Sequence, residues 1–143
     1  DVQMTLAQKT VVDGALIVST PQDVALLDAR KGIDMFNQLN VPVLGMIENM
    51  STHVCSNCGH EEAVFGHGGG ERIAQETGLP LLGRLPLDAG LGRSTDRGAP
   101  SVVADPDGPI AARFREIARR AAARLARQDR NTAIRMPKIS ITD

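Results

Sequence analysis

The sequence predicts an α/β domain built on a parallel sheet. Two observations carry this reading. Three short apolar runs, Gly14–Ser19, Pro42–Ile47 and Leu79–Leu85, are each bounded by turn residues. None shows the polar alternation of a strand with one wet face, so each must be covered on both sides. The stretches between them carry apolar residues at helical spacing. Strands alternating with helices of this length form a parallel sheet joined by right-handed crossovers.

The first element, residues 2–12, places Val2, Leu6 and Val12 on one face and reads as a short helix. After the Gly14–Ser19 strand, Thr20-Pro-Gln-Asp23 predicts a helix start, with Thr20 as N-cap, Pro21 at the first helical position and Asp23 closing a capping box. Val24, Leu27, Met35, Phe36 and Leu39 continue at helical spacing to residue 39. The Pro42–Ile47 strand then gives way to a loop of about 17 residues, a length usually reserved for function or disorder. A helix over Glu71–Thr77 closes at Gly78, and Pro86-Leu-Asp88 opens a short helix toward Arg97. Ser101-Val-Val-Ala104 predicts a fourth short strand, because paired β-branched residues favour one. Asp107-Gly-Pro109 starts the last helix, with Ile110, Phe114, Ile117, Ala121 and Leu125 as its apolar stripe. The domain is expected to occupy residues 1–127, with a disordered tail over 128–143.

Composition narrows the function. The 143 residues make one domain's worth of chain, and no apolar run approaches the ~18 residues that cross a bilayer. Only 2% of residues are aromatic, which removes the stacking platforms of single-strand nucleic-acid binding. Neither a nucleic-acid nor a membrane partner is expected. With just two cysteines a disulfide scaffold is excluded, and the reading is a reduced, cytoplasmic protein.

The chemistry centres on Cys55-Ser-Asn-Cys58-Gly59, which lies in the long loop at about residues 50–66. Two thiolates at this spacing can grip one soft metal, and a following glycine accepts the positive φ of a tight knuckle. Three readings stand open: zinc completed by His53, His60 or His67; an iron–sulfur cluster needing four thiolates, which a symmetric dimer provides; or a redox pair. The redox reading is weakened because Gly-His-Glu-Glu, not a helix start, follows the pair. Gly66-His-Gly-Gly-Gly70 resembles a phosphate cradle but lacks the Gly-Lys-Ser/Thr ending of a P-loop, and reads more simply as a flexible return to the sheet. Asn49 and the Leu85-Pro-Leu-Asp88 turn fall just beyond strand C-terminal ends, where open α/β sheets bind ligands. Strand-end polar residues are equally often caps. Arg113, Arg115, Arg119, Arg120, Arg124 and Arg127 line the last helix and read as its solvated side.

Taken in order, Asp13-Gly-Ala-Leu-Ile-Val-Ser-Thr-Pro-Gln-Asp-Val-Ala-Leu26, Val41-Pro-Val-Leu-Gly-Met-Ile-Glu-Asn-Met-Ser51, Cys55-x-x-Cys58-Gly59, Phe65-Gly66 and Leu85-Pro-Leu-Asp88 resemble the Mrp/ApbC family of iron–sulfur cluster carrier ATPases. These are deviant-Walker P-loop NTPases, related to MinD and ParA. The resemblance implies a three-layer P-loop NTPase-like fold and a homodimer. It also implies a cluster, [4Fe–4S] in type, shared between subunits by Cys55 and Cys58 of each. The family hydrolyses ATP with Mg and passes its cluster to apo-proteins. By the same resemblance Asn49, Pro86 and Asp88 contact the adenine.

The family's lysine loop and magnesium-side aspartate have no counterpart in these residues. The chain opens at Asp1 in what reads as mid-helix, so truncation of the N-terminal strands is expected. Phosphoryl transfer is nearly all positioning and electrostatics, so no catalytic residue is expected here and the chain alone should not hydrolyse ATP. Truncation would also leave Gly14–Ser19 as an apolar edge prone to pairing. The alternatives are a zinc-binding interaction module and a ParA/MinD-like partitioning ATPase, although the latter has no need of a soft-metal loop.

Overall fold

The computed structural model describes residues 2–128, so the tail expectation falls almost wholly outside the described residues. The elements are α1 (Val2–Lys9), β1 (Ala15–Ser19), α2 (Asp23–Gln38), β2 (Val43–Glu48), β3 (His53–Val54), β4 (Glu61–Glu62), α3 (Gly69–Thr77), β5 (Leu81–Arg84), α4 (Ala89–Asp96), α5 (Ser101–Ala104) and α6 (Pro109–Ala126). β1, β2 and β5 form a parallel sheet in that order, and β3 pairs with β4 in a separate antiparallel hairpin.

All six residues of β2 are buried, as a central strand covered on both faces requires. Strand alternation sends neighbours to opposite layers. Met46 joins Ile17, Leu26, Ala29, Ile33, Val43 and Ile73 beneath α2 and α3. Ile47 joins Leu82, Leu85 and Ile117 beneath α6. The result is helix–sheet–helix layering with two half-cores.

The two sheet edges differ. On β1, Leu16 is 41% and Val18 59% exposed, so the expected apolar edge is present as a surface. Next to the short strand β5, α6 supplies polar cover instead. Arg120 donates to Leu82 O at 3.0 Å and Arg124 to Leu44 O at 3.2 Å. Two of the arginines read as purely solvated therefore satisfy carbonyls of the sheet.

Three further expectations are corrected. Ser101–Ala104 is a helical turn, not a strand: Pro100 precedes it, and both Val103 N and Ala104 N donate to Pro100 O. α2 starts later than Thr20 predicts, with Gln22 as N-cap and no side-chain cap bond; Thr20 instead hydrogen-bonds Gln22 Oε1. The stripe of α6 holds at Phe114, Ile117 and Ala121, which pack on the second half-core, but its ends differ: Ala111 is buried and Leu125 is exposed.

Candidate functional site

The cysteine segment begins where β2 ends. Met50 takes a positive φ of 56°, and the chain turns there rather than continuing the strand. Asn49 steadies the turn by accepting Met50 N–H on its own Oδ1 at 2.9 Å, while Asn49 N donates to Ser19 O. Beyond it, β3 and β4 close a hairpin whose tip runs from Cys55 to His60. Cys55 N donates to His60 O at 2.9 Å, and Gly59 N donates back to Cys55 O at 2.8 Å. Gly59 sits at φ 71°, the left-handed conformation that the knuckle demands.

This fold-back aims donors at sulfur. The Cys55 thiol is pushed below its ordinary value, first by the backbone N–H of Cys58, then by that of Asn57, and also by the Cys58 side chain. Backbone N–H groups near a sulfur favour the thiolate, the form that binds metal. Both cysteines are free thiols, Cys55 half-buried and Cys58 exposed. Among the described residues no group of three or more His, Cys, Asp and Glu side chains converges to hold a metal ion. His53, proposed for zinc, instead has Nδ1 at 3.2 Å from Leu87 O; His60 and His67 lie exposed along the loop.

The root of the loop is held by a residue that the sequence reading passed over. Glu48, the last residue of β2, is 3% exposed. Its Oε2 accepts the N–H of Gly70 at the start of α3 (2.7 Å), and its Oε1 meets Arg84 Nε at 3.3 Å. Arg84 also binds Glu71, whose hydrogen bond is the main cause holding the guanidinium above its usual value. Glu48 and Gly70 bracket the whole excursion, so this contact fastens its two ends together. The glycine-rich segment thus presents its helix N-terminus to an internal carboxylate, as the macrodipole favours. Tight packing explains the glycines: a Cβ on Gly70 would sit 2.7 Å from Glu48 Oε2, and one on Gly69 2.7 Å from Pro21 O. The available signal was an acidic strand terminus paired with a glycine-rich helix start.

The strand-end turn lies alongside. Ser51 N and Oγ both donate to Leu85 O (3.0 and 3.1 Å), and Leu87 N donates to Thr52 O at 2.7 Å. Pro86 is half-buried, and Asp88 caps α4 by accepting Leu91 N–H at 2.7 Å. Asn49 and the Pro86–Asp88 turn therefore lie at one sheet edge beside the base of the cysteine hairpin.

A layered parallel sheet with a two-thiol hairpin rooted at its C-terminal edge defines an α/β domain that displays a Cys-x-x-Cys knuckle where such sheets bind ligands. The chain belongs to the ParA family described as NUBPL iron-transfer P-loop NTPase, whose family model matches residues 1–122. It is 54% identical over 118 residues to a protein of Pseudomonas fragi named iron-sulfur cluster carrier protein, covering 82% of this chain and 41% of that one. A nucleotide-binding protein from Archaeoglobus fulgidus, solved in complex with ADP, superposes with TM-score 0.63 at 32% identity, covering 78% of this chain and 44% of its own. The cell-division ATPase MinD of Pyrococcus furiosus superposes with TM-score 0.61 at 22% identity, covering 78% and 43%, and shares the fold. The chain spans 34–41% of the length of the first curated relatives it matches.

Proposed function

We propose that this chain is the cluster-holding part of an iron–sulfur carrier, with Cys55 and Cys58 as thiolate ligands and the cluster as cargo for apo-proteins. The observation that carries the reading is the Cys55–His60 knuckle. It offers a metal two sulfurs, that of Cys55 favoured as thiolate by backbone N–H groups, and among the described residues no third metal-ligating side chain converges with them. Half a ligand set on an exposed tip calls for a second copy, so the cluster is [4Fe–4S] held between two chains and the functional unit is a homodimer. Asn49, Pro86 and Asp88 form the adenine side of an ATP–Mg site completed by the longer protein. ATP hydrolysis belongs to that longer protein. A reducing compartment, the cytoplasm, keeps both thiols available.

Anaerobic reconstitution with iron and sulfide tests the reading. It predicts broad visible charge-transfer absorption that Cys55→Ser and Cys58→Ser each abolish, and transfer of the cluster to an apo-ferredoxin. Stoichiometric zinc that iron and sulfide fail to displace would contradict it and favour the zinc module.

A further inference from the structure

The cysteine hairpin and the Pro86–Asp88 turn share backbone as well as neighbourhood. Past the ends of β2 and β5 the two chains keep exchanging hydrogen bonds: Leu85 N to Glu48 O at 2.9 Å, Ser51 N to Leu85 O at 3.0 Å and Leu87 N to Thr52 O at 2.7 Å. His53 then pairs with Leu87 as a parallel bridge. Its side chain adds a second tie, Nδ1 to Leu87 O at 3.2 Å. His53 is also the first residue of β3, whose pairing with Glu62 leads directly to the Cys55–His60 closure. On one side of this residue is the turn proposed to read adenine, and two positions along the chain is the first thiol.

From this we infer that His53 is a positioning residue that couples the Pro86–Asp88 turn to the Cys55/Cys58 site. The inference rests on the cluster-carrying reading. Ser51, 4% exposed and bonded twice to Leu85 O, fixes the root of the strap, so movement of the turn cannot be absorbed there. The tip is exposed and held by its own short hairpin, so it follows the strap. A ligand seated against residues 86–88 therefore alters how Cys55 and Cys58 face a second chain. By linkage, metal at the cysteines alters the turn in return. This gives a direct route from nucleotide to cargo through the hydrogen bonds that join the two strand ends.

The test uses this chain and Cd²⁺ alone, with amide NMR and the ultraviolet thiolate-to-metal band recorded on the same samples. In the wild type, Cd²⁺ produces the band and shifts the amide resonances of Leu87 and Asp88 as well as those of Cys55 and Cys58. In His53→Leu the band persists and the Leu87 and Asp88 shifts are lost. His53→Asn, whose side-chain amide can donate in the place of Nδ1, restores them. A merely structural role for His53 would lower the melting temperature without separating these two signals. Should His53→Leu lose the Cys55–His60 closure, the wild type and His53→Asn carry the test. A wild-type band with unmoved Leu87 and Asp88 resonances overturns the coupling and leaves the ligand assignment standing. Absence of the band overturns both.

Discussion

The carboxylate of Glu48 and the backbone N–H of Gly70, 22 residues apart in sequence, meet at 2.7 Å and close the base of the cysteine excursion. The contact is buried, and Arg84 completes it from β5. It converts a long loop into a tethered one, since both ends leave from one fixed point in the sheet.

Glu48→Ala should therefore loosen the loop as well as weaken the fold. It strands a buried N–H and removes the partner of Arg84, a loss of about 2–3 kcal/mol, kept at the lower end because Arg84 is part-exposed and retains Glu71. Glu48→Gln keeps an acceptor for Gly70 and should lose less. Urea titration measures the order, with wild type above Gln above Ala. Equal midpoints for Ala and Gln would show that the Gly70 bond contributes nothing.

Gly69→Ala should be more damaging than its size suggests. The new methyl would lie 2.7 Å from both Pro21 O and Leu26 Cδ1, and the first of these is backbone that cannot rotate away. Forcing the contact separates α2 from α3 at a cost of about 1–3 kcal/mol. Gly92→Ala on α4, which meets nothing within 4 Å, is the matched control and should be neutral or slightly stabilising. Thermal melts of the two variants decide it.

Cys55 should react as a thiolate at a pH where unfolded cysteine does not. Its thiol is lowered in the fold, first by the Cys58 backbone N–H. Between that lowered value and the ordinary thiol value, the unfolded chain binds one more proton than the folded one. The contribution to stability is thus present above the ordinary value and lost as pH falls through the lowered one. Iodoacetamide alkylation read by mass spectrometry should show Cys55 labelling persist to lower pH in buffer than in denaturant. Coincident profiles would mean the N–H donors do not reach the sulfur in solution.

Arg120 and Arg124 should matter more than the other arginines of α6. Arg120 donates to Leu82 O on the edge strand β5 and Arg124 to Leu44 O on the central strand β2, so truncation to Ala removes a bond of about 1 kcal/mol and leaves a sheet carbonyl without its partner. Arg113→Ala, which breaks no such bond, is the comparison. Denaturation should show lower stability for the first two alone.

Much of this architecture is legible in the residues. β2 announces itself as an apolar run because a strand covered on both faces leaves no polar alternation, whereas β1, apolar by sequence alike, turns Leu16 and Val18 to an uncovered face. Cys55-x-x-Cys58-Gly59 announces a knuckle because the left-handed turn needs its glycine. What sequence reading misses depends on contacts between distant residues. Glu48 looks like a strand-end turn former until Gly70 is brought to it. β3 and β4, two residues each and mostly polar, carry no periodicity to detect. Val102 and Val103 favour a strand by propensity, but among the described residues no strand pairs with them, and Pro100 O gathers Val103 N and Ala104 N into a turn instead.

The central claim is that two copies of the Cys55–Cys58 knuckle share one cluster. Native mass spectrometry of the anaerobically reconstituted chain tests it most directly. The account predicts a dimer carrying one [4Fe–4S] cluster, which Cys58→Ser reduces to cluster-free monomer. A monomer holding a complete metal centre of its own, or a dimer that keeps its cluster after Cys58→Ser, would contradict it.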